Sequence, residues 1–241
     1  YLFNRGKLLK NKVIMIVTNL LLCAIIVATA VVGFYGGSAV TVSDNEGNVY
    51  YSSQSEDSVC LMFNVYQGTE EVAAILDVLD NYSAKATFFI GGSWADDNVD
   101  CVREIYSRGH EIASHGYFHK DHSSLSYDEN LEEISPSVKL LNMICNTNIS
   151  LFAPPSGAFN DYTVNACLEL GLKVIMWSKD TIDWRDSDVN LIVSRATNRL
   201  QAGDFILMHP TESTVKALPS ILNYIGNSGL AACTVSHSLG E

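Results

Sequence analysis

The sequence is poor in positive charge. Fifteen Lys and Arg stand against 27 Asp and Glu, for a net charge of −12. Four of those basic residues, Arg5, Lys7, Lys10 and Lys12, fall in a first stretch that holds no acidic residue. The rest of the chain is therefore more acidic than the whole. Duplex binding needs a basic footprint, so no nucleic-acid partner is expected. Neutral or cationic partners such as glycans suit this charge better.

Other motifs are missing too. The six cysteines, Cys23, Cys60, Cys101, Cys145, Cys167 and Cys233, form no C-x-x-C pair, which argues against a thiolate zinc site. Most sit among apolar residues and read as small core fillers. One or two disulfides stay open, with no pairing assigned. The one close histidine pair, His115-x-x-x-His119, lacks the Glu of H-E-x-x-H, which excludes that class of metalloprotease. No internal repeat is visible.

Charge is absent altogether from Val13 to Phe34, a run broken only by Thr18, Asn19 and Thr29 among polar residues. It is long enough to cross a bilayer as a helix. The basic residues before it place the amino terminus inside and the bulk of the chain outside. The expectation is a cytoplasmic tail over 1–12, a single-pass transmembrane signal-anchor over 13–35 and a domain outside the cell membrane. Ala28-Thr29-Ala30 also fits a signal cleavage site, so secretion after cleavage is the alternative. Residues 36–56 are rich in Gly, Ser, Asn and Asp. They read as a linker, with a short hairpin around Glu46-Gly47.

From 57 to 241 the chain alternates two patterns. Strand-like apolar runs are Val59–Asn64, Lys85–Ile90, Glu111–Ser114, Ser150–Phe152, Leu172–Trp177, Phe205–Met208 and Ala231–Val235. Helical spacing appears over Glu70–Tyr82, where Val72, Ile75, Leu76 and Leu79 share a face. It returns over Asp97–Ser107, Asp161–Leu170, Val189–Gln201 and Glu212–Ile225. Ser126 opens a long helix through a capping box with Glu129, and Pro136 is expected to kink or restart it. Strands alternating with helices predict an α/β fold with a parallel sheet. About seven such units predict a distorted (β/α) barrel, smaller than a typical eight-fold barrel.

In such barrels the chemistry lies at the strand carboxyl ends. Following each strand in turn gives Asn64, His115 and His119, Pro154-Pro155, Asp180 with Asp183-Trp184, and His209. On a helical turn, His115 and His119 would face the same way and could share a metal ion. His110 reads as structural, hydrogen-bonded near a strand start.

The order of these motifs resembles the polysaccharide deacetylases of the NodB-homology group, carbohydrate esterase family 4. The resemblance covers about residues 57–236. It rests on Lys85-Ala86-Thr87-Phe88-Phe89, Gly109-His110-Glu111-Ile112, His115-x-x-x-His119, Pro154-Pro155-Ser156-Gly157, Trp177 to Trp184 and Leu207-Met208-His209. It implies hydrolysis of an N- or O-acetyl group on an extracellular glycan such as peptidoglycan or chitin. It also implies a divalent metal, commonly zinc, that activates water. By the same resemblance His115 and His119 are the metal histidines. His209 is the general acid, oriented by Asp183 with Asp180 as second candidate. Tyr117, Pro155 and Trp184 line the substrate groove.

The chain departs from the family pattern at positions that carry its chemistry, and Gly116 stands where Ser or Thr usually follows the first metal His. The family's first motif reads Thr-Phe-Asp-Asp-Gly, where this chain has Met62-Phe63-Asn64-Val65-Tyr66. Asn64 thus stands at the catalytic base and Val65 at the metal-binding Asp. Ala153 replaces the Arg that braces the base. Asp121, His122, Glu70 and Glu71 are the candidates for a substitute ligand. Two functions follow: a deacetylase with reduced or lost activity, or a non-catalytic glycan-binding or regulatory protein that keeps the groove.

Overall fold

The computed structural model describes residues 45–240, together with Met15 and Val17. The basic tail over 1–12 and nearly all of the membrane segment expected over 13–35 lie outside the described residues. Among the described residues no helix is long and apolar enough to cross a membrane.

The strands are β1 (Val49–Tyr50), β2 (Ser58–Val65), β3 (Thr87–Ile90), β4 (Glu111–Ser114), β5 (Leu151–Phe152), β6 (Lys173–Ile175), β7 (Lys179–Asp180), β8 (Phe205–Met208) and β9 (Ala231–Cys233). The helices are α1 (Thr69–Asn81), α2 (Gly92–Asp97), α3 (Val99–Ser107), α4 (Tyr127–Cys145), α5 (Asp161–Glu169), α6 (Val189–Thr197), α7 (Glu212–Asn227) and α8 (Val235–Ser238). One sheet holds all the strands, in the order β1-β6-β5-β4-β3-β2-β8-β7, with β9 also on β2. All of its strand pairs are parallel. The α/β class and parallel sheet match the expectation. The closure is partial: β1 and β7 end the order instead of pairing, so the sheet is a half-barrel.

Burial on two faces explains the apolar strands. Along β2, Val59, Leu61, Phe63 and Val65 join the large core between sheet and helices. Cys60 and Met62 join a smaller cluster inside the barrel, with Phe89, Ala113, Ile175 and Phe205. A parallel strand covered on both sides reads as a continuous apolar run. Helix α1 buries the four residues expected of it, Val72, Ile75, Leu76 and Leu79.

Local readings fare unevenly. The Ser126–Glu129 capping box is formed on both sides. Helix α4 does not restart at Pro136 but runs through it as one element, holding Ile134, Val138 and Leu141 in the core. Packing of that face outweighs the missing backbone bond. The expected helix over Asp97–Ser107 begins after Asn98, with a separate short helix, α2, ahead of it. The hairpin expected at Glu46-Gly47 is instead a 3-10 turn, Asn45–Asn48, leading into β1. Part of the stretch read as linker, 36–56, is thus in the sheet: Val49 and Tyr50 pair with Val174 and Ile175. His110 is buried, as a structural role requires, but neither ring nitrogen has a hydrogen-bond partner. Its ring packs edge-on against Phe88 instead.

Candidate functional site

The carboxyl ends of β2, β4, β7 and β8 open into a cleft of about 600 Å3. Asn64, His115, His119, Asp180, Trp184 and His209 all line it. These residues are far apart in sequence, and the parallel sheet collects them at one rim.

His115 and His119 meet, though not on a helical turn. The segment between them is an irregular loop. Gly116 has φ +75° and His119 has φ +57°, which reverse the chain locally. A β-carbon at Gly116 would lie 3.3 Å from His122 Nε2 and 3.4 Å from Glu133 Oε1, so the position is crowded as well as left-handed. Glu133 of α4 holds the loop from below. It is 1% exposed and accepts from the backbone N–H of Tyr117 at 3.1 Å and of Phe118 at 2.5 Å. From the other side the N–H groups of Gly92 and Ser93 donate to the carbonyls of Gly116 and Tyr117. The two imidazole centroids end up 5.2 Å apart.

His115 is fixed in one tautomer. Its Nδ1–H donates to the carbonyl of Ala153 at 2.7 Å, which leaves the Nε2 lone pair free. Burial pushes its pKa down to about 3, with His119 adding to the shift. His119 sits at the rim, and partial desolvation lowers its pKa too. Neutral imidazoles are the ligating form.

The opposite wall carries His209. Its Nδ1–H donates to Asp183 Oδ1 at 2.8 Å, and its backbone N–H to Asp183 Oδ2 at 2.7 Å. The Thr214 hydroxyl donates to the same Oδ2 at 2.5 Å. Asp183 thus holds His209 by both ring and backbone. Asp180 lines the cleft but accepts from the N–H of Ile182 and is not bonded to His209.

Asn64 and Val65 divide by strand parity. Asn64 follows Cys60 and Met62 on the inner face and reaches the cleft. Its Oδ1 is buried without a hydrogen-bond partner. Val65 is fully buried on the outer face, among the helix-facing residues.

Those positions decide whether the residues present fit a metal. Val65 has no donor atom, and its side chain is in the apolar core. Among the described residues no group of three or more His, Cys, Asp or Glu comes together to hold a metal. The candidate substitutes are engaged elsewhere. Asp121 accepts from Ser123, and His122 is buried against Asn130. Neither they nor Glu70 and Glu71 line the cleft. Open catalytic zinc sites keep three protein ligands. Two imidazoles with no anionic partner do not meet that requirement.

The groove residues shift by one position in two cases. Trp184 lines the cleft and is 60% exposed, with the Arg185 guanidinium 5.7 Å from its ring. Tyr117 and Pro155 are not in the lining; their neighbours Phe118 and Ser156 are. Tyr117 packs edge-on against Phe118 and covers Gly92, while Pro155 is buried. Sequence reading missed Tyr66, Trp177 and Thr214. The first two follow strands as the named residues do, and could have been found by that signal. Nothing in the sequence points Thr214 at Asp183.

Residues 51–175 match the sequence model of the polysaccharide deacetylases. Among curated proteins, the uncharacterized protein YlxY of Bacillus subtilis is 31% identical over 193 residues, 80% of this chain and 60% of YlxY. This chain thus spans less than two thirds of that relative. A peptidoglycan-N-acetylglucosamine deacetylase of Bacillus cereus is 34% identical over 68% of this chain and 80% of the enzyme. The crystal structure of a CE4 family pseudoenzyme from Bacillus anthracis superposes with a TM-score of 0.77 at 30% identity, covering 79% of this chain and 68% of that one. A mutant of the same pseudoenzyme, with restored enzymatic activity, superposes equally well at 0.77.

Proposed function

The chain belongs to the polysaccharide deacetylase family, and within that family we propose that it binds acetylated cell-wall glycan in its cleft without hydrolysing it. One observation carries this reading. At the end of β2 the cleft receives Asn64, and Val65 turns into the apolar core. An amide does not take a proton from water near neutral pH. A valine supplies no metal ligand. Base and anionic ligand are both lost, while the walls persist. Exposed Phe118 and Trp184 offer flat apolar faces suited to sugar rings. The likeness to a CE4 pseudoenzyme supports the same conclusion.

A specific observation favours a second reading, a deacetylase that acts once an external carboxylate or substrate group completes the metal site. The His209–Asp183–Thr214 arrangement and the His115–Ala153 bond are intact. The mutant pseudoenzyme with restored enzymatic activity supports the view that a barrel of this family lacking activity can keep the rest of its site. Titration calorimetry with N-acetylglucosamine oligomers and peptidoglycan fragments, run beside an acetate-release assay with added zinc, separates the two. Binding that Trp184→Ala weakens, with no acetate released, supports the first. Acetate release that disappears in His115→Ala supports the second.

The basic tail and uncharged run over 13–35 support a location at the cell membrane, amino terminus inside and cleft outside. Fractionation and protease protection of the full chain in intact cells test it. A chain found in the medium without residues 1–30 would point to signal cleavage instead.

A further inference from the structure

We propose that Cys60 and Cys233 form an intrachain disulfide site that staples the last strand to the centre of the sheet. The two residues are register partners on the adjacent parallel strands β2 and β9. Neighbouring strands lie about 4.8 Å apart, inside the Cα range of about 4.4–6.8 Å that a disulfide spans. Both side chains point into the barrel interior, where they belong to one buried cluster. Their sulfurs are already in contact at 3.9 Å. Closing to a bond of about 2.05 Å requires side-chain rotation but no change of strand pairing.

The surroundings offer the two thiols little else. Cys60 reaches the carbonyl of Thr234 at 3.5 Å, and Cys233 that of Val59 at 3.6 Å. Cys60 has no exposed surface, whereas Cys233 keeps 8%. Cys233 is therefore the end that a small oxidant meets first. The contact with Cys60, and nearby Ser58 and Ser238, draw its pKa down to about 6, while the same contact and then burial push the Cys60 thiol up. That asymmetry separates an attacking thiolate from a resolving thiol.

The oxidant is hydrogen peroxide. The Cys233 thiolate attacks a peroxide oxygen, the O–O bond breaks and hydroxide leaves, giving a sulfenic acid. The Cys60 thiol then attacks that sulfur. The S–S bond forms, the S–O bond breaks, and the second oxygen leaves as water with the Cys60 proton. The hydroxide takes up the proton that Cys233 released on ionising, so two thiols lose two electrons and one hydrogen peroxide becomes two waters.

The staple has a structural target. Strand β9 pairs with the first residues of β2, Ala232 accepts from the N–H of Lys85, and beyond the strand Val235 N–H is held by the Thr87 hydroxyl. Cys60 is four residues before Asn64 on the same face of β2, so the bond would tie the barrel floor to the strand that ends in the cleft. It also closes most of the domain into one covalent loop, which restricts the unfolded chain strongly.

The purified chain, reduced and then exposed to hydrogen peroxide, is digested without reductant and mapped by mass spectrometry. The expected product is a Cys60–Cys233 linked peptide, with Cys145 and Cys167 still thiols. The melting temperature should rise by roughly 5–10 °C, reversibly with dithiothreitol. Cys60→Ser and Cys233→Ser should each abolish both effects. Should either variant fold poorly, the wild-type peptide map still decides. Thiols that both survive peroxide, a sulfinate at Cys233 beside a reduced Cys60, or oxidation confined to half-buried Cys101 would each overturn the proposal.

Discussion

His209 and Asp183 are joined twice, ring to one carboxylate oxygen and backbone to the other, at 2.8 and 2.7 Å. The double bond of contact fixes both the position and the tautomer of the ring, leaving Nε2 toward the cleft. Thr214 supplies the third donor to a carboxylate that is almost fully buried. Thr214→Val should therefore cost about 1.5–3 kcal/mol of stability, the range for a hydrogen bond to a charged group. Urea denaturation at neutral pH measures it. A cost below a few tenths would mean that Asp183 does not need the hydroxyl.

The parity of β2 makes predictions of different size for adjacent residues. Asn64 reaches the cleft but is buried with no partner for its Oδ1, so Asn64→Asp should destabilise, by less than a carboxylate placed in the apolar core. Val65 faces the helices, so Val65→Asp puts a carboxylate into apolar core and should destabilise by several kcal/mol. Burial raises the pKa of such a group. Its folded form then binds a proton that the unfolded form has released, so the loss should be larger at pH 7 than at pH 5. Denaturation of both variants at the two pH values checks the sign. Asn64→Asp alone should release no acetate, since it restores a base without the anionic ligand.

That parity was only half legible in the sequence. The apolar runs, their order and the residues after them were enough to place Asn64, His115, Asp183 and His209 on one rim. Period-two alternation also separates Asn64 from Val65. What alternation does not give is which face carries the cleft, because β2 is apolar on both sides. The shape of the His115–His119 loop is not legible in the sequence for a related reason. Its shape comes from Gly116, from Glu133 on a helix 17 residues further on, and from the N–H groups of α2, and such long-range backbone bonds leave no local pattern. The incomplete closure of the barrel was equally hidden. It depends on the very short β1 and β7 at the ends of the sheet.

Glu133 offers a direct test of how the histidine loop is held. Glu133→Gln keeps one acceptor oxygen but removes the charge. The amide protons of Tyr117 and Phe118 should then exchange about tenfold faster or more, as expected when a charge-assisted bond becomes neutral. Hydrogen exchange read by NMR resolves those two positions. Unchanged protection there would show that Gly92 and Ser93 suffice to hold the loop.

His110 predicts an acid-labile fold. Its ring is 3% exposed with no partner for either nitrogen, and burial pushes its pKa from 6.5 down to about 4. The folded state therefore keeps His110 neutral where the unfolded chain would protonate it. The stabilisation is fully present above pH 6.5 and is lost as pH falls toward 4, by about 3 kcal/mol at most. His115 adds to the same slope, since it too is held neutral by burial. His110→Phe separates the two contributions. The substitution keeps an aromatic ring against Phe88 and forfeits no side-chain hydrogen bond. The variant should match wild type at pH 7.5 within about 1 kcal/mol and exceed it at pH 4.5, when compared by urea denaturation. Parallel pH dependences in the two proteins would show that His110 is not the group that titrates.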